Sequence, residues 1–260
     1  QQAGCHYADI ADDRAHCQLV QSRSSSFADR GLVAAYGCSS LPAISLALAS
    51  IAVKDNDQPP QKARVTLFIG NRNPKGYGAV SSAARLFGRT IAAPQGKLYG
   101  FCDRQSVVLP PPFGQRTVVN FESPDLDLLP QRMGVGEVQV KVGFEWSIVT
   151  TTFWLAAKVL PALGRACVPR LAGLSGPLNR FGSSGGVVMA EMYWGDGEKR
   201  RIALVAKENG QRMAALPAVY VAQRMCDAEA SLPPGSHTAV DILGAEHLLA
   251  CLAKDGYEVV

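Results

Sequence analysis

Metal-ligand spacing is missing from this chain of 260 residues: its seven cysteines never fall as C-x-x-C, and its four histidines never as H-x-x-x-H or H-E-x-x-H. Zinc ribbons and zinc hydrolases need such clusters, so a metal site is not expected. The odd set Cys5, Cys17, Cys38, Cys102, Cys167, Cys226 and Cys251 also argues against a disulfide framework. It points to reduced, mostly buried thiols in a cytoplasmic protein. Long hydrophobic runs are equally scarce. The most apolar stretch, 147 to 163, is shorter than the roughly 20 residues of a membrane span and contains Lys158 and Pro161. A helix that is buried or faces a partner is expected there. The opening QQAGCHYADIADD has no basic region followed by an apolar one, so a secretory signal is not expected.

Charge of one sign is also in short supply, with 26 basic against 22 acidic residues and a densest basic run of only Lys199, Arg200 and Arg201. A nucleic-acid partner needs cations gathered on one face and is not expected. Internal repeats and low-complexity tracts are absent. What is present, 47% hydrophobic residues with 25 Gly and 16 Pro, is the composition of an ordinary globular protein, long enough for one large domain or two small ones.

Residues 12 to 29 carry Ala15, Leu19 and Phe27 at helical spacing, open on Asp12 and Asp13 as cap and dipole partners, and stop at Gly31. LVAAYGC, 32 to 38, reads as a buried strand. Ser40 then caps, and Pro42 opens, a helix running into the low fifties. The polar run KDNDQPPQK, 54 to 62, marks a boundary. Beyond it ARVTLFIG is a strand and GAVSSAARLFG a helix, with strands near 97 to 109 and 117 to 121 around the turn PPPFG. Ser123 and Pro124 start a helix. GEVQVKVGF, 136 to 144, alternates with period two, as a strand with one buried face should. GVVMAEMYW and RIALVAKE flank Gly195-Asp196-Gly197 as a hairpin. A helix follows over 213 to 230 with Pro217 near its first turn. Ala245, Leu248, Leu249, Leu252 and Ala253 form a helical stripe ending at Gly256, before a closing strand YEVV.

Several constellations could carry chemistry. Gly76 and Gly78 follow a strand, as in a dinucleotide turn, but Ser81 holds the third glycine position and the loop is long. LSGPLNRFGSSGG, 174 to 186, could cradle an anion or act as a lid, although it precedes a strand and is not a P-loop. Neither Cys38 nor Ser39 has an identifiable His partner, and G-x-S-x-G is absent. Asn71, Arg72 and Arg104, near strand ends, are candidate anchors for a carboxylate or phosphate.

The order GCHYADIADDR, helix, YGCSSLPAIS resembles the saccharopine dehydrogenase-like oxidoreductases. The later runs GRTIAAPQGKLYGFCDRQSVVLPPPFGQRTVVNFESPDLDLLPQRMGV and SSGGVVMAEMYWGDGEKRRIALVAKENGQRMAALPAVYVAQRM are similar to the second domain of that family. The resemblance implies an α/β fold, in which the C-terminal remnant of a Rossmann domain (1–54) precedes an α+β domain with a mixed, largely antiparallel sheet. That second domain, 55–235, would serve substrate binding and dimerisation, and residues 236–260 would return as a helix and strand to the Rossmann domain.

The family's Gly-rich phosphate turn lies upstream of the aromatic-x-Asp strand, and only six residues precede Tyr7 here. The resemblance thus implies a fragment of an oxidoreductase that uses NAD or NADP on a small C–N, carbonyl or imine substrate. Alone, it would neither bind the dinucleotide nor be active. Tyr7 and Asp9 would lie near the nicotinamide or ribose, and Ser39, Ser40 and Pro42 would line the same strand-end crevice. Asn71, Arg72 and Arg104 would face it from the second domain. No catalytic acid is assigned. The half-sheet should expose an edge. In the rival account the 147 to 163 helix makes the chain a non-catalytic module for a partner or membrane surface. A further rival places phosphate binding in the 70 to 81 loop.

Overall fold

Val33–Tyr36 (β2), four consecutive buried residues, lies at the centre of a small parallel sheet. Tyr7–Ala8 (β1) pairs with it on one side and Gly235–Thr238 (β11) on the other, both parallel. A run without polar alternation is what a strand covered on both faces requires. The computed structural model describes residues 4–74, 76–162, 164–166, 180–195, 197–227 and 229–260. Among these, β1 has one neighbour and leaves its outer edge unpaired.

The expected helix over 12 to 29 is two: Arg14–Ser22 (α1), capped by the Asp13 side chain on the His16 N–H at 2.8 Å, and Ser24–Ala28 (α2). The next helix also starts later than expected. Ser40–Ile44 form one wide turn around a cis Leu41–Pro42 peptide, without side-chain capping, and the regular helix is Ser45–Val53 (α3).

Residues 54 to 61 lead from α3 into a seven-stranded sheet of order β12-β10-β9-β3-β8-β7-β6. Its members are Lys62–Ile69 (β3), Gln105–Leu109 (β6), Gly114–Asn120 (β7), Glu137–Phe144 (β8), Gly186–Tyr193 (β9), Lys199–Ala206 (β10) and Glu258–Val259 (β12). Only β3 and β8 run parallel; every other pair is antiparallel. The fold class is therefore the one the sequence implied. Thr90–Ala93 (β4) and Gly96–Tyr99 (β5) make a separate hairpin. The helices are Tyr77–Arg85 (α4), Asp125–Met133 (α5), Ser147–Val159 (α6), Gly210–Cys226 (α7), Ala239–Leu243 (α8) and Ala245–Lys254 (α9).

One sheet face presents Val65, Val140, Val188, Ala190 and Leu204 to α3, whose Ala47, Ala49 and Ala52 are all buried in the same cluster. The opposite face is not left to solvent. The sheet curls until Arg201 Nη1 approaches the Val108 carbonyl at 3.4 Å, and Phe68, Met189 and Val205 pack with Val107, Leu109 and Phe113. The expected alternation of the 136 to 144 strand therefore fails in its second half, where Lys141 is buried along with its valine neighbours. Pro217 lies inside α7 rather than at its start, because that helix begins at Gly210. Helix α5 begins at Asp125 with Pro124 as the residue before it, one position later than expected, and the Ser123 hydroxyl accepts the Asp125 N–H at 3.2 Å. The hairpin's Asp196 and residues 174 to 179 of the 174 to 186 loop lie outside the described residues. The six described cysteines are free, with Cys17 and Cys38 buried.

Candidate functional site

Strands β1 and β2 end together. There, the Asp9 N–H donates to the Ala35 carbonyl at 3.1 Å and the Cys38 N–H to the Asp9 carbonyl at 2.9 Å. Tyr7 and Asp9, two apart on a strand, project to the same side. The Tyr7 hydroxyl donates to Asp9 Oδ2 at 2.8 Å, and His16 Nε2 on α1 lies 3.1 Å from that oxygen and 3.2 Å from the hydroxyl. Asp9 Oδ1 accepts the N–H groups of Ala11 and Gly37, each at 2.9 Å. Gly37 has φ +63, and a Cβ there would stand 2.7 Å from Pro42 Cδ, so glycine is what lets the turn close over Asp9.

Burial, with the Asp9 carboxylate second, pushes Tyr7 up to about 12. The phenol thus stays neutral and donates. Burial pushes Cys38 and Cys17 up to about 12 as well, again with Asp9 adding. Burial thus disfavours the thiolate, the form a nucleophilic cysteine needs. Ser39 is half-buried, and Ser40 and Pro42 are buried in the wide turn behind this cluster.

Asp9 is the hub, so its replacement is expected to show in stability. Asp9→Ala leaves the Ala11 and Gly37 N–H groups without an acceptor and should cost about 2 kcal/mol. Asp9→Asn keeps Oδ1 and should cost less than half as much, as read from urea unfolding midpoints.

The segment that leads from β1 into α1 borders a crevice lined by Asp12, Asp13 and Arg14 on one side and Ser82, Arg85, Leu86, Arg89, Phe121 and Glu122 on the other. Arg14 is a tether across it. Its guanidinium forks onto Asp127 through Nε, at 2.6 Å, and Nη2, while Nη1 reaches the Ala92 carbonyl at 2.6 Å. Gln18 adds a bond to the same carboxylate at 2.8 Å. Burial would raise Asp127, but the hydrogen bonds from Arg14 and Gln18 hold it below the usual range. Arg85 and Arg89 are exposed on the opposite wall, where a planar guanidinium suits a carboxylate.

None of the second-domain residues singled out from sequence lines this crevice. Asn71 and Arg72 follow β3 against residues 181 to 183: the Arg72 N–H donates to the Ser183 carbonyl at 2.8 Å and Asn71 Nδ2 to the Phe181 carbonyl at 2.9 Å. Arg104 lies over the Trp154 ring at 5.0 Å. The loop expected to cradle an anion does hold one of the chain's own. Ser183 donates to Glu145 Oε2 through N–H at 2.8 Å and Oγ at 2.6 Å. Burial would raise Glu145, and these bonds outweigh it and hold it low. The sequence reading brought Tyr7 and Asp9 together but missed His16, which joins them when α1 packs on the strand end, and Arg85 and Arg89, which the end of α4 brings to the crevice.

A nicotinamide dinucleotide lays its pyrophosphate on free N–H groups at a helix N-terminus. The helix starts beside the small sheet do not fit that group. Asp13 places a carboxylate on the start of α1, the residues before α3 are wholly buried, and α8 is closed by a capping box of Thr238 and Asp241. Among the described residues no group of His, Cys, Asp and Glu could hold a metal ion.

A short parallel sheet that feeds a curled, mixed and largely antiparallel sheet defines a mixed α/β fold. The apo structure of saccharopine dehydrogenase (L-Glu forming) from Saccharomyces cerevisiae is similar, with a TM-score of 0.55 over 92% of this chain and 76% of that one. The two share 9% sequence identity, so the likeness is one of fold. No protein-family model and no curated protein matches the chain.

Proposed function

We propose that the chain forms the substrate side of a saccharopine dehydrogenase-like oxidoreductase, with a small carboxylate-bearing substrate held in the crevice beside the segment from β1 to α1. The observation that carries this is the crevice in which Arg85 and Arg89 stand opposite Asp12, Asp13 and Arg14, the residues that join Asp9 to His16 in the Tyr7–Asp9–His16 cluster. Arg85 and Arg89 clamp the carboxylate. The neutral Tyr7 hydroxyl, fixed by Asp9, and His16 supply the groups that orient or protonate a nitrogen or carbonyl beside it. NAD or NADP is the redox partner that the resemblance to the saccharopine dehydrogenase-like family implies. The described helix starts beside the small sheet do not fit its pyrophosphate, and this chain is expected to bind no dinucleotide.

Titration of L-glutamate, the product named for the yeast enzyme, should shift the amide resonances of Asp9, Gly37 and Arg89 with millimolar affinity. The double variant Arg85→Ala/Arg89→Ala should weaken that binding at least about tenfold, the equivalent of one lost charge-assisted bond. Calorimetric titration of NADPH and NADH should give no binding heat. Micromolar dinucleotide affinity, or glutamate shifts indifferent to both arginines, would overturn the proposal.

A further inference from the structure

Helix α6 is half uncovered, independently of the crevice. Of its 13 residues only Thr150 and Ala157 are fully buried. Ile148, Leu155 and Val159 are 75%, 52% and 61% exposed, and Leu160 just beyond is 55% exposed. With Thr152 they occupy positions i, i+4, i+7 and i+11, a single stripe along the helix. The opposite side is anchored: the Phe153 ring packs edge-on against Phe87, Phe101 and Phe144. The stripe is therefore held rigidly outward.

The described charges shown beside it are the cations Lys158 and Arg104. From Trp146 to Ala190 the sequence has no Asp or Glu. Trp154 lies beside the stripe with Arg104 at 5.0 Å and Lys158 at 5.4 Å from its ring. The acids next to these elements in the chain are already engaged: Asp103, beside Arg104, binds Lys141 Nζ at 2.6 Å, and Glu145, just before the helix, binds Ser183.

We propose that α6 docks this protein on an anionic lipid surface, lying in the plane of the interface. Apolar residues along one line, an amphipathic tryptophan and basic side chains with long apolar stems are what a headgroup boundary accepts. At about 1.5 Å per residue the helix is roughly 20 Å long, short of the roughly 30 Å apolar core of a bilayer. No helix among the described residues is long and apolar enough to cross a membrane. A second copy of this chain is the poorer occupant, because a twofold contact would bring a second set of the same cations to the seam and no acid from α6 to meet them. Anionic headgroups turn the same cations into attraction.

The test is flotation of the whole chain with phosphatidylcholine vesicles, with and without phosphatidylserine. Phosphatidylserine should raise partitioning at least about tenfold, and high salt should reverse the gain. The triple variant Ile148→Ser/Leu155→Ser/Val159→Ser should lose at least about tenfold in partitioning, with an unchanged thermal midpoint because all three side chains are exposed. In the unmodified protein, lipids brominated on the acyl chain should quench tryptophan fluorescence, and Trp154→Phe should remove most of that quenching. Absence of flotation with phosphatidylserine vesicles, equal flotation with both lipids, or a triple variant that floats like the parent would each overturn the proposal. So would a concentration-dependent dimer that the triple variant abolishes while lipid is ignored.

Discussion

Replacing Asp125 with alanine is expected to cost about 3 kcal/mol of folding stability, the largest loss from any single polar side chain considered. Asp125 is fully buried in the first turn of α5. Its Oδ1 lies 2.6 Å from Ser45 Oγ at the start of α3, and its Oδ2 lies 2.6 Å from Ser123 Oγ. Both serines are fully buried. Ser45 retains the Pro42 carbonyl at 3.1 Å as a second acceptor, but Ser123 keeps none that is described, and alanine also leaves a small void. Asp125→Asn keeps an oxygen for one hydroxyl and offers an N–H₂ to the other, so its cost should be nearer 1 kcal/mol.

The same residue carries a pH signature. Burial pushes its carboxyl above the ordinary 3.8, with the Ser123 and Ser45 hydrogen bonds opposing. An acid whose pKa is raised on folding binds its proton more tightly in the folded state. Its stabilisation is present below about 3.8 and is lost as pH rises through the folded value. Asp127, Asp241 and Glu145 are shifted downward and act in the opposite sense, so the measurement must be differential. The stability of the parent minus that of Asp125→Asn, from urea midpoints, should fall as pH is raised from 4 toward neutrality. A difference that does not change with pH would remove the buried charge from the account. Because Asp125 ties the turn behind Tyr7 and Asp9 to the segment bearing Glu122 and Asp127, its loss should also loosen the crevice.

What was legible in the sequence is what local rules govern. The stripe Leu248, Leu249 and Leu252 is buried as its spacing requires, and Tyr7 and Asp9 meet because a strand places i and i+2 on one side. The consecutive Phe153, Trp154 and Leu155 had to leave one large side chain outside, and it is Leu155. What was not legible depends on packing between distant segments. His16 reaches the Tyr7 hydroxyl only because α1 folds back over the strand end. Arg85 and Arg89 enter the crevice because α4 ends against the β7–α5 link, whereas Arg72 and Arg104, plausible by strand position, are turned onto other surfaces. Lys141 sits where alternation puts a solvent-facing residue. The curl of the sheet buries it, and its ammonium is bound by the Asp103 carbonyl and carboxylate and by Asn120 Oδ1 at 3.1, 2.6 and 2.7 Å. Curvature of a sheet is a property of many strands and leaves no mark in any one of them.

Gly100→Ala is expected to be as damaging as Asp125→Ala, for a steric reason. A Cβ at Gly100 would stand 2.1 Å from the Leu86 carbonyl oxygen and 3.0 Å from its carbon, which is backbone and not a flexible side chain. Neither partner can retreat easily. The Gly88 N–H donates to the Gly100 carbonyl at 3.1 Å, the Gly100 N–H donates to the Arg89 carbonyl at 2.9 Å, and the next residue, Phe101, stacks on Phe87 at 4.3 Å. Forcing a methyl group into this contact should cost about 3 kcal/mol, a fall in thermal midpoint of roughly 6–12 °C for a chain of this size. Gly136→Ala is the control, since its Cβ would meet nothing nearer than the Gln61 carbonyl oxygen at 3.6 Å; it should stay within about 0.5 kcal/mol of the parent. The clash bears on function because Leu86 forms part of the crevice wall, with Arg85 and Arg89 on either side. If those arginines hold a carboxylate, displacing Leu86 moves both guanidinium groups together. Gly100→Ala should then weaken L-glutamate binding by about tenfold, a loss of about 1.4 kcal/mol, at a temperature where the variant is still folded. Full glutamate affinity in a destabilised but folded Gly100→Ala protein would show that the crevice wall contributes nothing to binding.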